Sequence, residues 1–288
     1  MRKDIRNSGW VAERIAMPNQ AVGFFRRVIM SDLLSKYEER FSDRVIAPPN
    51  PRPAPNKFDP DGSTKPFYGL TCIAWIDQKS ELFRRSCDLQ KTFMKEFEEA
   101  GLGDTFAFLR PESFHMTICD INASSDSSRC LDRRIIETVQ GAFNRIGAPG
   151  KVTSQIRGIG LKRTITALVK FSDELELKKV FSMEHEIKEP ILNMDPEIKQ
   201  STCVRVRDFA GHVSFAYCVQ DLGEEDAERI RKILLPYKDQ DLGEFTFSQF
   251  DLTYFTDMNT YISILTINLE DGKVTHYASN IKILKNIS

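Results

Sequence analysis

The sequence lacks a long hydrophobic run, an excess of charge of one sign and a cysteine pattern suited to metal. No apolar stretch approaches the ~20 residues that a helix needs to cross a bilayer, so we predict a chain that does not span a membrane. Basic residues number 40 and acidic residues 41. This balance leaves no global positive field, and we expect no extended binding of duplex nucleic acid. The six cysteines form no C-x-x-C pair, which argues against a zinc knuckle or a disulfide scaffold.

The first ten residues, MRKDIRNSGW, contain no apolar segment of the kind found in secretory signals. We therefore expect a cytoplasmic or nuclear protein. The sequence gives no reason to expect a cofactor, a metal ion or a membrane partner.

Prolines mark a boundary early in the chain. Seven of the thirteen prolines fall between positions 48 and 66, a density that excludes a helix interior or a central strand. The segment is predicted to be an extended connector across the domain surface. Before it, residues 21–45 have apolar side chains spaced for one helix face. We therefore assign residues 1–56 to an N-terminal helical extension and a proline-rich connector, and residues 57–288 to the main domain.

The main domain alternates between strand and helix patterns, and part of the order repeats. Residues 68–118 read as strand, helix and then a strand that bears His-x-Thr; residues 164–215 read as strand, helix and then a strand that bears His-x-Ser. The first strand and the histidine are separated by 115 − 68 = 47 positions in one unit and by 212 − 164 = 48 in the other. Two similar lobes are predicted, spanning about 67–150 and about 151–270.

The expected fold is of the α+β class, bilobal with a pseudo-twofold axis, and it has two mostly antiparallel sheets around a central cleft. Two apolar segments near the end, residues 245–255 and 260–269, are predicted to close the chain as an antiparallel pair.

The two His-containing strands each separate polar from apolar side chains. Because successive side chains of a strand point to opposite faces, the polar sets in FHMTICD and GHVSFAYCV face away from the packed side. Those predicted polar sets are His115, Thr117 and Cys119 on one strand and His212, Ser214 and Cys218 on the other. An imidazole and a hydroxyl two residues apart are thus predicted on the open side of each strand.

Two such strands meeting at a cleft suit phosphodiester chemistry. One imidazole removes a proton from the nucleophile and the other protonates the leaving oxygen, since histidine populates both forms near neutral pH. Thr117 and Ser214 are placed to hydrogen-bond the non-bridging phosphate oxygens. His115, Thr117, His212 and Ser214 are therefore the predicted catalytic residues, and which histidine acts as base stays open.

At these residues the sequence resembles the two-histidine (2H) phosphoesterase superfamily, which is marked by two H-x-[ST]-x motifs on the strands of a bilobal fold. They stand here as HMTI (115–118) and HVSF (212–215). The segment GIGLKRTITALVK (158–170) resembles the midchain hairpin of that superfamily, and KFDPDGSTKPFYG (57–69) resembles an uncharacterised branch of it. The resemblance covers roughly residues 57–270. It implies an RNA ligase-like or cyclic phosphodiesterase fold and metal-independent activity on an RNA end or a nucleotide-like phosphodiester.

The sequence departs from the pattern of the superfamily after the second motif. The basic residue often found there is absent, because Tyr217 and Cys218 occupy the position, and this weakens the expectation of tight anion binding. Phe67, Tyr68 and Arg163 are predicted substrate contacts, since aromatic rings stack on bases and arginine pairs with phosphate. His185 and His276 are predicted to be surface residues, and thiol catalysis by Cys119 or Cys218 is disfavoured by their distance from the histidines along the strands.

Three functions are open at this point. The first is a phosphodiesterase acting on a 2',3'-cyclic phosphate or a short RNA or nucleotide phosphodiester. The second is a non-catalytic module on the same fold that binds a nucleotide or an RNA end. The third is an interaction protein in which residues 1–66, including the N-terminal extension, contact a protein partner.

Overall fold

A computed structural model describes residues 33–42, 51–194 and 209–280 of the chain. Ten strands are formed in this part of the chain: β1 (Tyr68–Trp75), β2 (Phe106–Phe108), β3 (His115–Ser124), β4 (Val152–Leu161), β5 (Thr164–Lys170), β6 (His212–Cys218), β7 (Asp241–Phe247), β8 (Gln249–Asp257), β9 (Thr260–Asn268) and β10 (Val274–His276). The helices are α1 (Leu33–Ser42), α2 (Glu81–Glu99), α3 (Arg133–Ile146), α4 (Glu174–Leu192) and α5 (Glu224–Leu234).

All ten strands belong to one antiparallel sheet. Its order is β10-β9-β8-β1-β3-β6-β5-β4-β7, with β2 paired to β6 off this path. Four strands continue outward from β3, and three from β6, so the two His-containing strands lie side by side in the middle. The strands β8, β9 and β10, although last in the chain, return to the half of the sheet that contains β1 and β3.

The helices begin at side-chain caps that the sequence supplies. The Ser80 hydroxyl accepts a hydrogen bond from the Phe83 amide at the start of α2, and the carboxylates of Asp132 and Asp173 accept from backbone amides at the starts of α3 and α4. Each of these caps satisfies an amide that has no partner within its own helix. The three helices therefore begin where a short polar side chain follows a loop.

The core lies between the helices and one face of the sheet. Met116 of β3 and Val213 of β6 are fully buried on that face, and α4 packs against both β3 and β4. Helix α4 also packs against α3, while α2 packs against β7 and α5. The opposite face of β3 and β6 is consequently left open where the two strands meet.

Gly158 shows why the hairpin of β4 and β5 contains glycine. Its φ of +93° lies in a region that side chains disfavour, and an added Cβ would sit 2.7 Å from the Lys238 carbonyl oxygen. The backbone pairing of β4 with β5 is irregular between Ile156 and Ile159. Glycine is thus required by both the conformation and the close approach of the chain.

The α+β class and the bilobal 2H-like architecture are confirmed, with one difference in the sheet. The two expected sheets are continuous, because β3 and β6 pair at Met116 and Val213. Residues 245–255 were expected as one strand, but the chain switches there from β7, which pairs with β4, to β8, which pairs with β1. The predicted helix over residues 21–45 is described only at 33–42, and its remainder lies outside the described residues. No helix in the described ranges is long and apolar enough to cross a membrane.

Candidate active site

The four predicted catalytic side chains all face the open side of the sheet. His115 and Thr117 of β3 and His212 and Ser214 of β6 are each partly exposed, whereas the residues between them are fully buried. This is the outcome expected from strands that alternate between a core face and an open face.

The junction of the two strands brings the motifs together. Met116 lies opposite Val213 in an antiparallel pair. Continued by one residue on each side, this register sets His115 opposite Ser214 and Thr117 opposite His212. Directly opposed residues of an antiparallel pair point to the same face, with Cα atoms roughly 4.5–5.5 Å apart. Each imidazole therefore stands beside the hydroxyl of the other motif.

All four side chains line a single cavity of about 610 Å³. Its remaining polar and charged lining includes Asp120, Thr166 and Arg163, and its aromatic lining comprises Phe67, Tyr217, Phe255 and Tyr261. A volume of this size accommodates a small-molecule ligand. Two imidazoles, two hydroxyls and an aromatic wall are thus presented to one ligand.

Both imidazoles are oriented in the same way. Nδ1 of His115 lies 2.6 Å from the Ser113 carbonyl oxygen, and Nδ1 of His212 lies 3.0 Å from the Ala210 carbonyl oxygen. A carbonyl oxygen only accepts, so Nδ1 carries the proton in each ring. Nε2 is therefore the nitrogen left for proton transfer at both histidines.

The environment of His115 favours its neutral form. Its ring lies 4.7 Å from the ring of Tyr261 and 5.8 Å from that of Trp75, centroid to centroid. Burial is the main cause that lowers the pKa of His115 to about 4, and the positive charge of His212 lowers it further. The Ser113 carbonyl and the Asp120 carboxylate oppose the shift without reversing it.

A bulge at the last residue of each motif changes which later residues face the cavity. The pairing of β1 with β3 passes over Ile118, and the pairing of β5 with β6 passes over Phe215. Each skipped residue is three positions after its histidine. An extra residue reverses the alternation of the side chains beyond it, so the residues five positions after the histidines, Asp120 and Tyr217, line the cavity.

This corrects the predicted placement of two cysteines. Cys119 and Cys218 were expected on the face of the motifs, but both are buried and neither lines the cavity. Burial raises the pKa of Cys218 to about 11, so its thiol stays protonated near neutral pH. A thiolate nucleophile has no support in the part of the chain that the structure describes.

Two of the three predicted substrate contacts line the cavity, and the third does not. Phe67 and Arg163 line the cavity, Arg163 at the exposed turn between β4 and β5. Tyr68 does not line it; its ring instead stacks on Tyr254 with the centroids 6.3 Å apart. Neighbouring residues of an extended chain point to opposite faces, so the cavity is reached by Phe67 and not by Tyr68, which corrects the prediction that both contact the substrate.

Several cavity residues could not be predicted from the sequence, and two of them, Tyr261 and Lys57, come from segments far from the motifs. Tyr261 comes from β9, more than forty positions after the second motif, and burial raises its pKa well above the ordinary value, which keeps its hydroxyl a donor. Lys57 comes from the connector before β1. Neither carries a local motif, and only the pairing of distant strands and the path of the connector identify them.

The other two histidines are surface residues, as predicted. His185 is exposed on α4, with Nε2 3.3 Å from a Glu189 carboxylate oxygen, and His276 is exposed on β10. Across the described residues, no group of three or more His, Cys, Asp or Glu side chains is placed to hold a metal ion.

One protein-family model matches part of the chain. Residues 57–130 match the family model 2H-phosphodiest, described as a domain of unknown function (DUF1868). The matched segment contains the first motif and Lys57. The match covers about a quarter of the chain and shows a similarity to that family in the first half of the main domain. No curated protein matches the chain by sequence.

Solved structures share the fold at low sequence identity. The conserved protein of unknown function ATU0111 from Agrobacterium tumefaciens C58 has a TM-score of 0.54 and 14% identity, over 76% of this chain and 93% of that one. E. coli LigT complexed with 3'-AMP has a TM-score of 0.47 and 11% identity, over 70% and 98% of the two chains. Kluyveromyces marxianus Usb1 has a TM-score of 0.39 and 12% identity, over 69% and 97%. Of these three structures, only ATU0111 has a TM-score above 0.5. Its similarity to this chain concerns the fold alone.

Proposed function

We propose that this chain, which is similar to the 2H-phosphodiest family over residues 57–130, is a metal-independent phosphodiesterase that opens a 2',3'-cyclic phosphate or cleaves a short RNA or nucleotide phosphodiester. One observation carries the proposal: the Met116–Val213 junction sets each imidazole beside the hydroxyl of the other motif, inside one cavity. A pair of acid–base groups on opposite sides of a bound phosphate is the arrangement that this reaction needs.

His115 is the proposed base and His212 the proposed acid. With a pKa of about 4, His115 is neutral near neutral pH, and Nε2 is free to accept a proton. In the hydrolysis of a cyclic phosphate, His115 takes a proton from water as the water oxygen bonds to phosphorus. The bond from phosphorus to one ribose oxygen breaks, and His212 donates its proton to that oxygen. The product is a phosphomonoester, and proton exchange with solvent restores both rings.

Thr117 and Ser214 are proposed to hold the phosphate during this reaction. Their hydroxyls donate to the non-bridging oxygens, whose negative charge grows in the transition state, and a fixed donor is most effective where the charge develops. Their positions opposite His212 and His115, respectively, keep the donors and the proton-transfer groups around one phosphorus atom.

The test is turnover of adenosine 2',3'-cyclic phosphate in excess EDTA by the wild type, His115→Ala and His212→Ala. A positioned acid or base contributes about 10²–10⁴-fold, so a loss of that size is expected in each variant. His185→Ala is the matched control, because this histidine is exposed on α4 and pairs with Glu189; its turnover should equal that of the wild type.

Two results would contradict the proposal. Full activity in either cavity variant would remove that histidine from the reaction. Binding of adenosine 3'-monophosphate by calorimetry, with no product after prolonged incubation with the cyclic substrate, would instead favour the non-catalytic binding module.

A further inference from the structure

The cavity contains more positive charge than one phosphodiester requires. Its lining includes three basic side chains, Lys57, Lys162 and Arg163, and one acidic side chain, Asp120. The balance is 3 − 1 = +2 before either histidine is protonated. A 2',3'-cyclic phosphate or an internal phosphodiester has one negative charge, so a further anionic group on the ligand would be matched by the protein.

Lys57 is the cation that the fold holds most firmly. Its Nζ lies 4.7 Å from the centroid of the Tyr217 ring and 5.2 Å from that of the Phe67 ring, within the range of cation–π attraction. It also donates to the Tyr217 hydroxyl at 3.4 Å. Lys162 and Arg163, by contrast, are exposed at the turn between β4 and β5.

The backbone around Lys57 is fixed as well. Its amide donates to the Ala54 carbonyl oxygen at 2.9 Å, and its carbonyl oxygen accepts from the Lys65 amide at 2.8 Å. The next residue, Phe58, is buried with its ring 5.2 Å from Tyr217. Among the described residues no carboxylate forms an ion pair with Lys57. The ammonium group is therefore positioned in the cavity with no ion-pair partner among those residues.

Lys57 also supplies a positive charge near the place where the sequence lacks the expected basic residue. The expected basic residue after the second motif is replaced by Tyr217, and the bulge at Phe215 turns that tyrosine toward the cavity. Lys57 lies over its ring. The connector thus supplies, from more than 150 positions earlier in the chain, a cation beside the strand of the second motif.

Lys57 lies over a residue that is further along β6 than the second motif. Tyr217 is three residues beyond Ser214, which is roughly 10 Å along a strand and less where the bulge shortens the path. A phosphate held between the two motifs occupies the Ser214 end of this stretch, which leaves the Tyr217 end for a second anion. An anion bound by Lys57 is then a second group of the same ligand.

We propose that the substrate is a nucleotide that carries a second phosphate, such as a 5'-phosphate on a nucleoside 2',3'-cyclic phosphate, and that Lys57 binds this second phosphate. The inference rests on the proposed phosphodiesterase function and adds the class of substrate to it. Lys57 is a specificity residue, because its contact distinguishes two ligands that share the reacting group.

The experiment compares kcat/KM for adenosine 2',3'-cyclic phosphate with and without a 5'-phosphate. The wild type is expected to prefer the 5'-phosphorylated substrate by about tenfold or more, the effect of one charge-assisted contact. Lys57→Met keeps the length and the packing between the rings, and it should abolish the preference by lowering kcat/KM for the 5'-phosphorylated substrate about tenfold more than for the other substrate. Lys57→Arg should retain part of the preference.

Lys65→Met is the matched control, because Lys65 belongs to the same segment but pairs with Asp59 at 3.2 Å outside the cavity. It should keep the wild-type preference. Thermal unfolding of Lys57→Met checks that the variant is folded. A wild type without preference, or an equal loss for both substrates in Lys57→Met, would overturn the inference.

Failure of the proposed function gives a different result. If the wild type turns over neither substrate, the phosphodiesterase proposal fails, and calorimetry with adenosine 3',5'-bisphosphate and adenosine 3'-monophosphate then tests Lys57 alone. Weaker binding of only the bisphosphate by Lys57→Met supports the second phosphate site. Equal binding of the two ligands by the wild type, or equal weakening of both by the variant, overturns it.

Discussion

The proton-transfer properties of His115 follow from the side chains around its ring. Trp75 and Tyr261 exclude water from two sides of the imidazole. Trp75 is itself fixed, because its Nε1 donates to the Asp251 carboxylate at 3.0 Å, and Thr266 donates to the same carboxylate at 2.6 Å. A buried carboxylate with several donors is a rigid support. The low pKa of His115 is thus built into the packing of β1, β8 and β9.

The pH dependence of kcat/KM should show this environment. The base must be neutral, so the acid limb of the free enzyme is expected near pH 4, the pKa of His115, instead of near 6.5. The negative charge of Asp120 raises that pKa. Asp120→Asn removes the charge and should move the limb to still lower pH, as measured with the cyclic substrate over pH 3–8.

Asp88→Asn is the control for this pH profile. Asp88 is exposed on α2 and pairs with Arg84, so its loss should leave the limb in place. An acid limb near 6.5 in the wild type, or a shift to higher pH in Asp120→Asn, would contradict the assignment of His115 as the base.

At the scale of the elements, two bulges shape the active site. Each one lies three positions after a histidine and turns the residue two positions further on, Asp120 or Tyr217, into the cavity. The bulge of β6 is held from α2: the Phe215 carbonyl oxygen accepts from Gln90 Nε2 at 3.0 Å and from the Leu109 amide at 2.9 Å. Gln90 also donates to the Leu109 carbonyl oxygen at 2.9 Å.

Gln90→Leu tests whether this bulge positions the site. Gln90 is buried, and its loss leaves two buried carbonyl oxygens with fewer donors, which costs about 1–3 kcal/mol in the free energy of unfolding. Because Ser214 and Tyr217 flank the bulge, kcat for the cyclic substrate should fall as well. Urea unfolding and steady-state kinetics measure the two effects.

Thr92→Val is the comparison for Gln90→Leu. Thr92 lies on the same helix, but its hydroxyl donates within the helix to the Asp88 carbonyl oxygen and is exposed. It should leave both quantities near the wild-type values. A Gln90→Leu protein with unchanged stability and unchanged kcat would show that the bulge does not depend on this side chain.

The same bulges explain which side-chain orientations could be predicted from the sequence and which could not. Strict alternation placed His115, Thr117, His212 and Ser214 together, because no irregularity separates the two members of each motif. It failed at Cys119 and Cys218, since one inserted residue reverses every later side chain. A bulge is stabilised by contacts from other elements, such as Gln90 on α2. The residue pattern of the strand alone therefore does not predict it.

At the scale of the molecule, the cavity is assembled from segments that are distant in the chain. The connector provides Lys57, β9 provides Tyr261, and the junction of β3 with β6 provides the two motifs. Hydrophobic periodicity identifies the strands but not the order in which they pair. The return of β8 and β9 to the first half of the sheet therefore could not be predicted from the sequence. The position of Tyr261 in the cavity, which depends on that return, could not be predicted either.

The N-terminal extension is joined to the same assembly by Tyr37 of α1. This side chain is fully buried, and its ring stacks on Phe209 with the centroids 6.1 Å apart. Its hydroxyl donates to the Val169 carbonyl oxygen at 2.6 Å and accepts from the Gly211 amide at 3.2 Å. Gly211 directly precedes His212, so α1 contacts the backbone that sets the second imidazole.

Tyr37→Phe, made in the full chain, is expected to separate the hydrogen bonds of the Tyr37 hydroxyl from the packing of its ring. The ring and its packing remain, but the Gly211 amide and the Val169 carbonyl lose a buried partner, which lowers the free energy of unfolding by about 1–3 kcal/mol. The strand start that positions His212 then relaxes, and kcat for the cyclic substrate should fall with little change in KM. Tyr68→Phe removes a hydroxyl outside the cavity and serves as the control. Should Tyr37→Phe match the wild type in both urea unfolding and kcat, α1 would be an appendage of the domain and not a support for its active site.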